Sequence, residues 1–96
     1  MGELRIEKRF RVGPQDGMEA ICEFPKQDDP TLLVCQANQV VDGVQYRLAG
    51  MKMRVEPNSN TARIQEVASS GKNPEDLYNK LDLIETMVTR YLRNSV

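Results

Sequence analysis

The chain has 96 residues, 40% of them hydrophobic and 28% charged, which is the composition of a single globular domain over residues 1–96 and excludes a disordered chain. Its 13 cations and 14 anions leave a net charge of −1, which excludes a bulk electrostatic attraction to nucleic acid or anionic lipid. There is no apolar run of membrane-spanning length and no apolar core of a signal peptide, so we expect no membrane partner and an intracellular, cytoplasmic location.

Two strands are predicted in the first quarter of the chain. Apolar and charged side chains alternate over residues 4–12, with Phe10 and Val12 on the inward side, as is typical of a half-buried strand. Glycine, proline and an Asp-Gly pair over residues 13–17 predict a turn. A second alternating stretch follows, with Met18, Ala20, Cys22 and Phe24 inward and with Glu19 and Glu23 outward.

An Asp-Gly pair at residues 42–43 predicts a hairpin. It is flanked by strand-like residues and suits a two-residue type I′ turn, because both central residues of that turn need a positive φ. The turn sets the register: the predicted opposed pairs are Val41 with Val44, Gln39 with Tyr46, Ala37 with Leu48, and Cys35 with Gly50. Opposed residues share a face, so we expect one surface to carry Leu33, Cys35, Ala37, Val41, Val44, Tyr46 and Leu48.

The second strand of this hairpin changes phase. Its inward positions are even-numbered up to Leu48 and odd-numbered from Met51 onwards. An extra residue at Ala49-Gly50 would invert the alternation in this way, and glycine tolerates the backbone conformation that a bulge often needs. We therefore expect Gly50 in a bulge or bend, both Leu48 and Met51 buried, and a strongly bent sheet.

A last strand and a long helix complete the predicted elements. Ala62 and Ile64 are the expected inward residues of the last strand, so that strands occupy about residues 3–68. A helix is predicted over about residues 74–93, with Asn73 as its N-cap and a proline at its first position. Its apolar stripe, expected to face the sheet, is Leu77, Leu81, Ile84, Val88 and Tyr91.

A second apolar stripe on the helix consists of Leu83 and Met87, and Leu83 lies roughly 100° around the helix from its neighbour in the first stripe. Two interpretations stand beside each other. Either the helix lies deep in a concave sheet that covers both stripes, or the second stripe contacts another chain and is at least partly exposed in a monomer. The residues that we nominate for partner binding on the helix are Leu83, Met87 and Tyr91.

The sequence offers little material for catalysis. It contains no histidine, which removes the commonest general base and a common metal ligand, and it has no glycine-rich phosphate loop. Cys22 and Cys35 each lie in an apolar run, so we expect two buried thiols, with a disulfide as the alternative. We predict no enzymatic activity, no catalytic or metal-binding residues, and no cofactor.

Many cations are predicted on the outward face of the sheet, namely Arg5, Arg9, Arg11, Arg47, Lys52, Arg54 and Arg63. From these we nominate Arg9, Arg47, Lys52 and Arg54 as a basic sheet face. Three interpretations are open: pairing with glutamates of the same face, contact with an acidic protein, or contact with a nucleic-acid backbone. No aromatic residue is predicted on this face to stack on bases, which counts against the last.

The predicted fold is α+β, a strongly bent antiparallel sheet of five to six strands packed on one long C-terminal α-helix. The predicted function is that of a non-enzymatic protein–protein interaction module: an adaptor, a complex subunit or a dimerisation domain. It would bind another protein chain, itself or a different one, through the helix or a sheet edge. The alternative is a nucleic-acid-binding domain that uses the basic sheet face.

Overall fold

Five antiparallel strands and one helix make up the fold in the computed structural model, which describes residues 8–69 and 76–95. The predicted α+β class is confirmed: the strands form one sheet in chain order, the sheet is not closed, and one of its faces packs on the helix. The predicted strand residues before Lys8, and the predicted helix start at residues 73–75, lie outside the described residues. The elements are β1 (Arg9–Gln15), β2 (Met18–Glu23), β3 (Leu32–Val41), β4 (Val44–Glu56), β5 (Thr61–Ala68) and α1 (Leu77–Asn94).

Two-residue turns join β1 to β2 and β3 to β4. The Asp16-Gly17 and Asp42-Gly43 pairs have a positive φ at every residue, between 50° and 79°, as a type I′ turn requires. Asp and Gly are the residues that adopt this conformation at low cost, so the sequence fixes both turns locally. Next to the second turn, the predicted pairs of Val41 with Val44 and of Gln39 with Tyr46 are confirmed.

The predicted change of phase in β4 is present, but the bulge lies earlier than predicted. Ala37 is opposite Ala49, not Leu48, so Leu48 is the extra residue of the bulge. From Ala49 onwards every second residue of β4 is buried, including Met51 as predicted. Leu48 itself is only half-buried, so the expectation of full burial there is wrong.

Gly50 does not lie in the bulge between β3 and β4. It pairs regularly with Gln36, and Met51 takes the place opposite Cys35 that was predicted for Gly50. A Cβ at Gly50 would lie 3.3 Å from Nη2 of Arg47. Glycine at this position therefore leaves room on the outward face for the guanidinium group of Arg47.

The helix α1 covers the inward face of the sheet. Leu81 and Ile84 are 1% and 0% exposed, as predicted from the helical spacing. Leu92 extends the buried stripe into the last turn. The strand residues that form the core with α1 are Phe10, Val12, Met18, Ala20, Cys22, Leu33, Cys35, Ala37, Ala49, Met51, Met53, Val55 and Ala62.

The end of the β3–β4 hairpin is exposed, contrary to the predicted buried surface. Val41, Val44 and Tyr46 are 45%, 51% and 55% exposed. The 13 residues of β4 span at most about 40 Å, whereas the 18 residues of α1 span about 27 Å. The helix is shorter than the hairpin, so inward phase alone does not bury these residues.

The helix also covers one edge of the sheet, that of β5. The amide of Ala62 donates to Thr89 Oγ1 at 3.0 Å, and the amide of Ile64 donates to the Glu85 carboxylate at 2.8 Å. The spacing of the two acceptors matches that of the two amides: the helix rises about 6 Å from Glu85 to Thr89, and the strand advances about 7 Å from Ala62 to Ile64. At this edge, helix side chains therefore take the place of a neighbouring strand.

Candidate interaction surfaces

The residues nominated on α1 are less exposed than a free contact surface requires. Leu83 and Tyr91 are half-buried, and the Tyr91 ring stacks on Phe10 with centroids 4.3 Å apart. Met87 is only 5% exposed, so the expectation that it is accessible in a monomer is wrong. Its side chain packs on Gly13, where a Cβ would lie 2.7 Å from the Met87 methyl carbon. Partner binding by these three residues stays a prediction.

The outward cations separate into a paired and an unpaired group. Three of them form ion pairs: Lys52 with Glu66 at 3.5 Å, Arg54 with Asp29 at 2.9 Å, and Arg63 with Glu56 at 2.7 Å. Within the described residues Arg9, Arg11 and Arg47 have no such partner. Arg5 lies outside the described part of the chain. Within the nominated basic sheet face, Lys52 and Arg54 are therefore neutralised, and Arg9 and Arg47 carry the unpaired charge.

Arg54 belongs to a structural contact. Its Nη1 donates to both carboxylate oxygens of Asp29 at 2.9 Å and to the Thr31 hydroxyl at 3.0 Å. The Arg54 guanidinium, helped by Thr31, holds the pKa of the Asp29 carboxyl below its usual value, although partial desolvation acts in the opposite direction. These bonds attach the loop between β2 and β3 to β4, so the Arg54 charge already has a carboxylate partner.

Glu19 is a buried carboxylate on the outward face, where the alternation alone suggests a solvated side chain. It is 3% exposed, and its Oε2 accepts hydrogen bonds from Asn38 Nδ2 at 3.1 Å and Gln45 Nε2 at 2.7 Å. Asn38 is 1% exposed. The three residues come from β2, β3 and β4, so the pattern within any one strand cannot reveal the cluster.

Cys22 and Cys35 lie opposite each other on β2 and β3, with 2.9 Å between their sulfur atoms. Both are free and buried, as predicted. Their mutual hydrogen bond and their burial raise the pKa of the Cys22 thiol well above its usual value, so this thiol stays protonated at neutral pH.

Residues 8–69 and 76–95 contain neither a metal-binding cluster nor a helix that could span a membrane. Among these residues, no three His, Cys, Asp or Glu side chains approach closely enough to hold a metal ion. In the same part of the chain, no helix has the length and the apolar character that crossing a membrane requires.

The outer edge of β1 differs from that of β5, because nothing in the described part of the chain pairs with it. Phe24 donates its amide hydrogen to the Lys8 carbonyl at 2.9 Å, which identifies the hydrogen-bonded pairs of β1 and β2. Such pairs alternate along antiparallel strands, so the amide and carbonyl groups of Arg9 and Arg11 point away from β2. We call these free backbone groups the β1 edge. It ends at Pro14, which has no amide hydrogen.

A cleft of about 350 Å³ lies beside the β1 edge, between β1 and the C-terminal half of α1. Arg90 lies at its rim, with Nη1 3.4 Å from Gln15 Oε1. The cleft brings two of the nominated helix residues next to β1, but it includes neither Leu83 nor the nominated cations Arg47, Lys52 and Arg54. Its apolar lining is Val12, Pro14, Met87 and Tyr91.

The chain resembles no known protein closely enough to suggest a function: no family model matches it, and neither a curated protein nor a solved structure is significantly similar. Function is therefore inferred from the β1 edge, the cleft and the charges around them. An open strand edge has one obvious chemical capacity, which is to form backbone hydrogen bonds with another extended chain.

Proposed function

We propose that this chain is a non-enzymatic protein-interaction domain, acting as an adaptor, complex subunit or dimerisation domain, that binds another protein chain at the β1 edge. The observation that carries this proposal is the difference between the two sheet edges. Helix side chains accept hydrogen bonds from two outward amides of β5, those of Ala62 and Ile64, while the described residues leave the outward amides of β1 unbound. Natural sheets usually block such edges, and extended segments of other proteins add to open ones.

The surroundings of the β1 edge favour a polypeptide ligand. An edge offers alternating N–H and C=O groups along a line, which an extended polypeptide matches with its own backbone. The cleft next to it would receive side chains of that ligand. Met87 and Tyr91, two of the three residues nominated on the helix, line this cleft.

The alternative function, nucleic-acid binding by the basic sheet face, has less support. Lys52 and Arg54 each have a carboxylate partner, and Arg54 also holds a loop in place. The described outward face carries no aromatic side chain on which bases could stack, because Phe10 and Phe24 follow the inward phase.

The substitution Arg11→Pro tests the proposed function. Its ring removes the outward N–H without breaking a bond between β1 and β2, whereas the matched variant Arg11→Ala keeps the N–H and removes only the side chain. Peptides selected from a random displayed library on the immobilised chain would be titrated against all three proteins. We expect Arg11→Pro to weaken binding about ten-fold or more, because one backbone hydrogen bond is lost and the ring blocks approach.

Backbone NMR of the wild-type complex supplies a second measurement that does not depend on the variant folding. Selected peptides should shift the amide signals of Arg9 and Arg11 and slow their hydrogen exchange. Peptides that bind Arg11→Pro as tightly as wild type, or that shift only the signals of the hairpin end around Val44, would contradict the proposal.

A further inference from the structure

The outward side of the β1 edge is positively charged. Arg9 and Arg11 are exposed, and neither forms an ion pair with a described residue. Glu23 lies opposite Arg9 on β2, but no ion pair joins them. Because the net charge of the chain is −1, any attraction of an anion to this edge is local and comes from these side chains.

The helix side of the same edge combines polar and apolar groups, since Gln15, Arg90 and Asn94 line the cleft together with its apolar residues. Phe10 and Val12 point to this side, with Tyr91 stacked on Phe10. The cleft beside Val12 and Tyr91 is open to solvent at the edge, so side chains of an added strand would enter it directly. The two sides of β1 therefore differ: the outward side carries the Arg9 and Arg11 guanidinium groups, and the helix side offers a cleft with an apolar part beside Tyr91.

A strand added at the β1 edge would place alternate side chains in these two environments, because successive residues of a strand point to opposite faces. We propose that the partner is an extended protein segment in which acidic and apolar residues alternate, and that it adds to β1 as a sixth strand. Its acidic residues lie beside Arg9 and Arg11, and its apolar residues lie in the cleft beside Tyr91. This inference rests on the proposed function of the β1 edge and adds the chemistry of the partner.

A second copy of this chain fits the edge less well. Two antiparallel β1 strands that pair over Arg9–Val12 would place Arg9 opposite either Arg9 or Arg11 of the second copy. Like charges directly opposite each other destabilise strand pairing, whereas opposite charges stabilise it. The charges on β1 therefore favour a different and acidic strand.

Two peptides of identical composition test the inference on the full chain. The first, acetyl-Glu-Val-Glu-Leu-Glu-Val-Glu-amide, alternates acidic and apolar residues, and the second, acetyl-Glu-Glu-Val-Leu-Val-Glu-Glu-amide, has the same charge without the alternation. Only the first should bind with saturation, shift the amide signals of Arg9 and Arg11, and slow their hydrogen exchange. Equal binding of both peptides would show attraction by charge alone and would overturn the inference.

Charge reversal supplies the matched variants. Arg9→Glu/Arg11→Glu should weaken binding of the alternating peptide about ten-fold or more, because two favourable cross-strand pairs become repulsive. Arg47→Glu/Lys52→Glu makes the same change in net charge elsewhere on the outward face and should leave affinity within about two-fold. The first variant should in turn bind the peptide in which lysine replaces every glutamate, which also shows that it is folded.

The remaining outcomes separate this inference from the proposed function. If library peptides require the β1 edge but are not acidic, the proposed function stands and the acidic partner is wrong. If neither they nor the alternating peptide bind at the edge, both fail. Displacement of the peptide by oligothymidylate at Arg9 and Arg11 would assign the edge to nucleic acid, and a dimer that protects these amides would assign it to a second copy.

Discussion

At the residue scale, the charged side chains of this protein differ in what their charge does. Asp29 accepts two hydrogen bonds from Arg54 and one from Thr31, while its neighbour Asp28 is exposed and makes no ion pair in the described part of the chain. The first carboxylate fixes the loop between β2 and β3. The second is solvated. Two adjacent residues of the same type therefore allow a matched comparison.

Replacing Asp29 by Asn should lower the free energy of unfolding at neutral pH, and the deficit should disappear in acid. The pKa of Asp29 is lower in the folded than in the unfolded chain. Its ionised form therefore stabilises the fold above the unfolded pKa of about 3.9, and this stabilisation is lost as the pH falls through the folded pKa. Urea unfolding from about pH 3 to about pH 7, followed by circular dichroism, measures the effect.

Asp28→Asn is the control for this experiment and should follow the wild-type curve at every pH. A deficit of Asp29→Asn that persists unchanged at the lowest pH would mean that the carboxylate charge is not what stabilises the loop.

Burial of single residues could be predicted only in part. Alternation identified the face to which most side chains point, and the core of β2 and β4 follows it. It did not predict that Glu19 is buried, because Asn38 and Gln45 of neighbouring strands cover it. Nor did it predict that Tyr46 is exposed. Burial depends on what lies across from a residue, and the pattern within one strand does not contain that information.

At the element scale, local turn chemistry predicted the register of β3 and β4 near the hairpin, and the bulge limited how far that register extends. The inward positions before and after the phase change fit an extra residue anywhere from Leu48 to Met51. The glycine at position 50 suggested that the extra residue lies at Ala49-Gly50, whereas in the structure Leu48 is the extra residue. The alternation predicts that a bulge exists. Its position depends on how neighbouring side chains pack, as the Arg47 guanidinium group does next to Gly50.

The contact of α1 with the β5 edge could not be predicted from either element alone, because it requires a match between two helix side chains and two strand amides. Removing the acceptor in Glu85→Ala should speed hydrogen exchange of the Ile64 amide about ten-fold or more, since a bond to a charged acceptor contributes about 1.5–3 kcal/mol. NMR-detected exchange at single amides measures this. Glu85→Gln retains an acceptor and should have a smaller effect.

Thr86→Ala is the matched control on the helix, because within the described residues Thr86 bonds only to its own helix, at the Asp82 carbonyl. Exchange at Ile64 should be unchanged in it. If Glu85→Ala also leaves the Ile64 amide protected, the edge is shielded by burial and not by the carboxylate.

At the scale of the whole molecule, one core joins the sheet to the helix. The buried apolar side chains of the described residues form a single cluster, and every strand contributes to it. The α+β class was predictable because a run of strands precedes one amphipathic helix. The open β1 edge and its cleft were not, since they depend on which strand α1 covers and on the packing of Met87 over Gly13.

A single core implies that sheet and helix unfold together. Truncating Leu81, which is 1% exposed, to Ala should lower the free energy of unfolding by about 2–5 kcal/mol through lost burial and a residual cavity. Tyr78→Ala changes a 61% exposed residue of the same helix and should cost within about 0.5 kcal/mol. In urea, far-UV circular dichroism and tyrosine fluorescence should give coincident transitions for all three proteins. An earlier loss of the helical signal would show that α1 detaches from a sheet that stays folded, which the shared core does not allow, since without α1 the inward face of every strand is exposed to water.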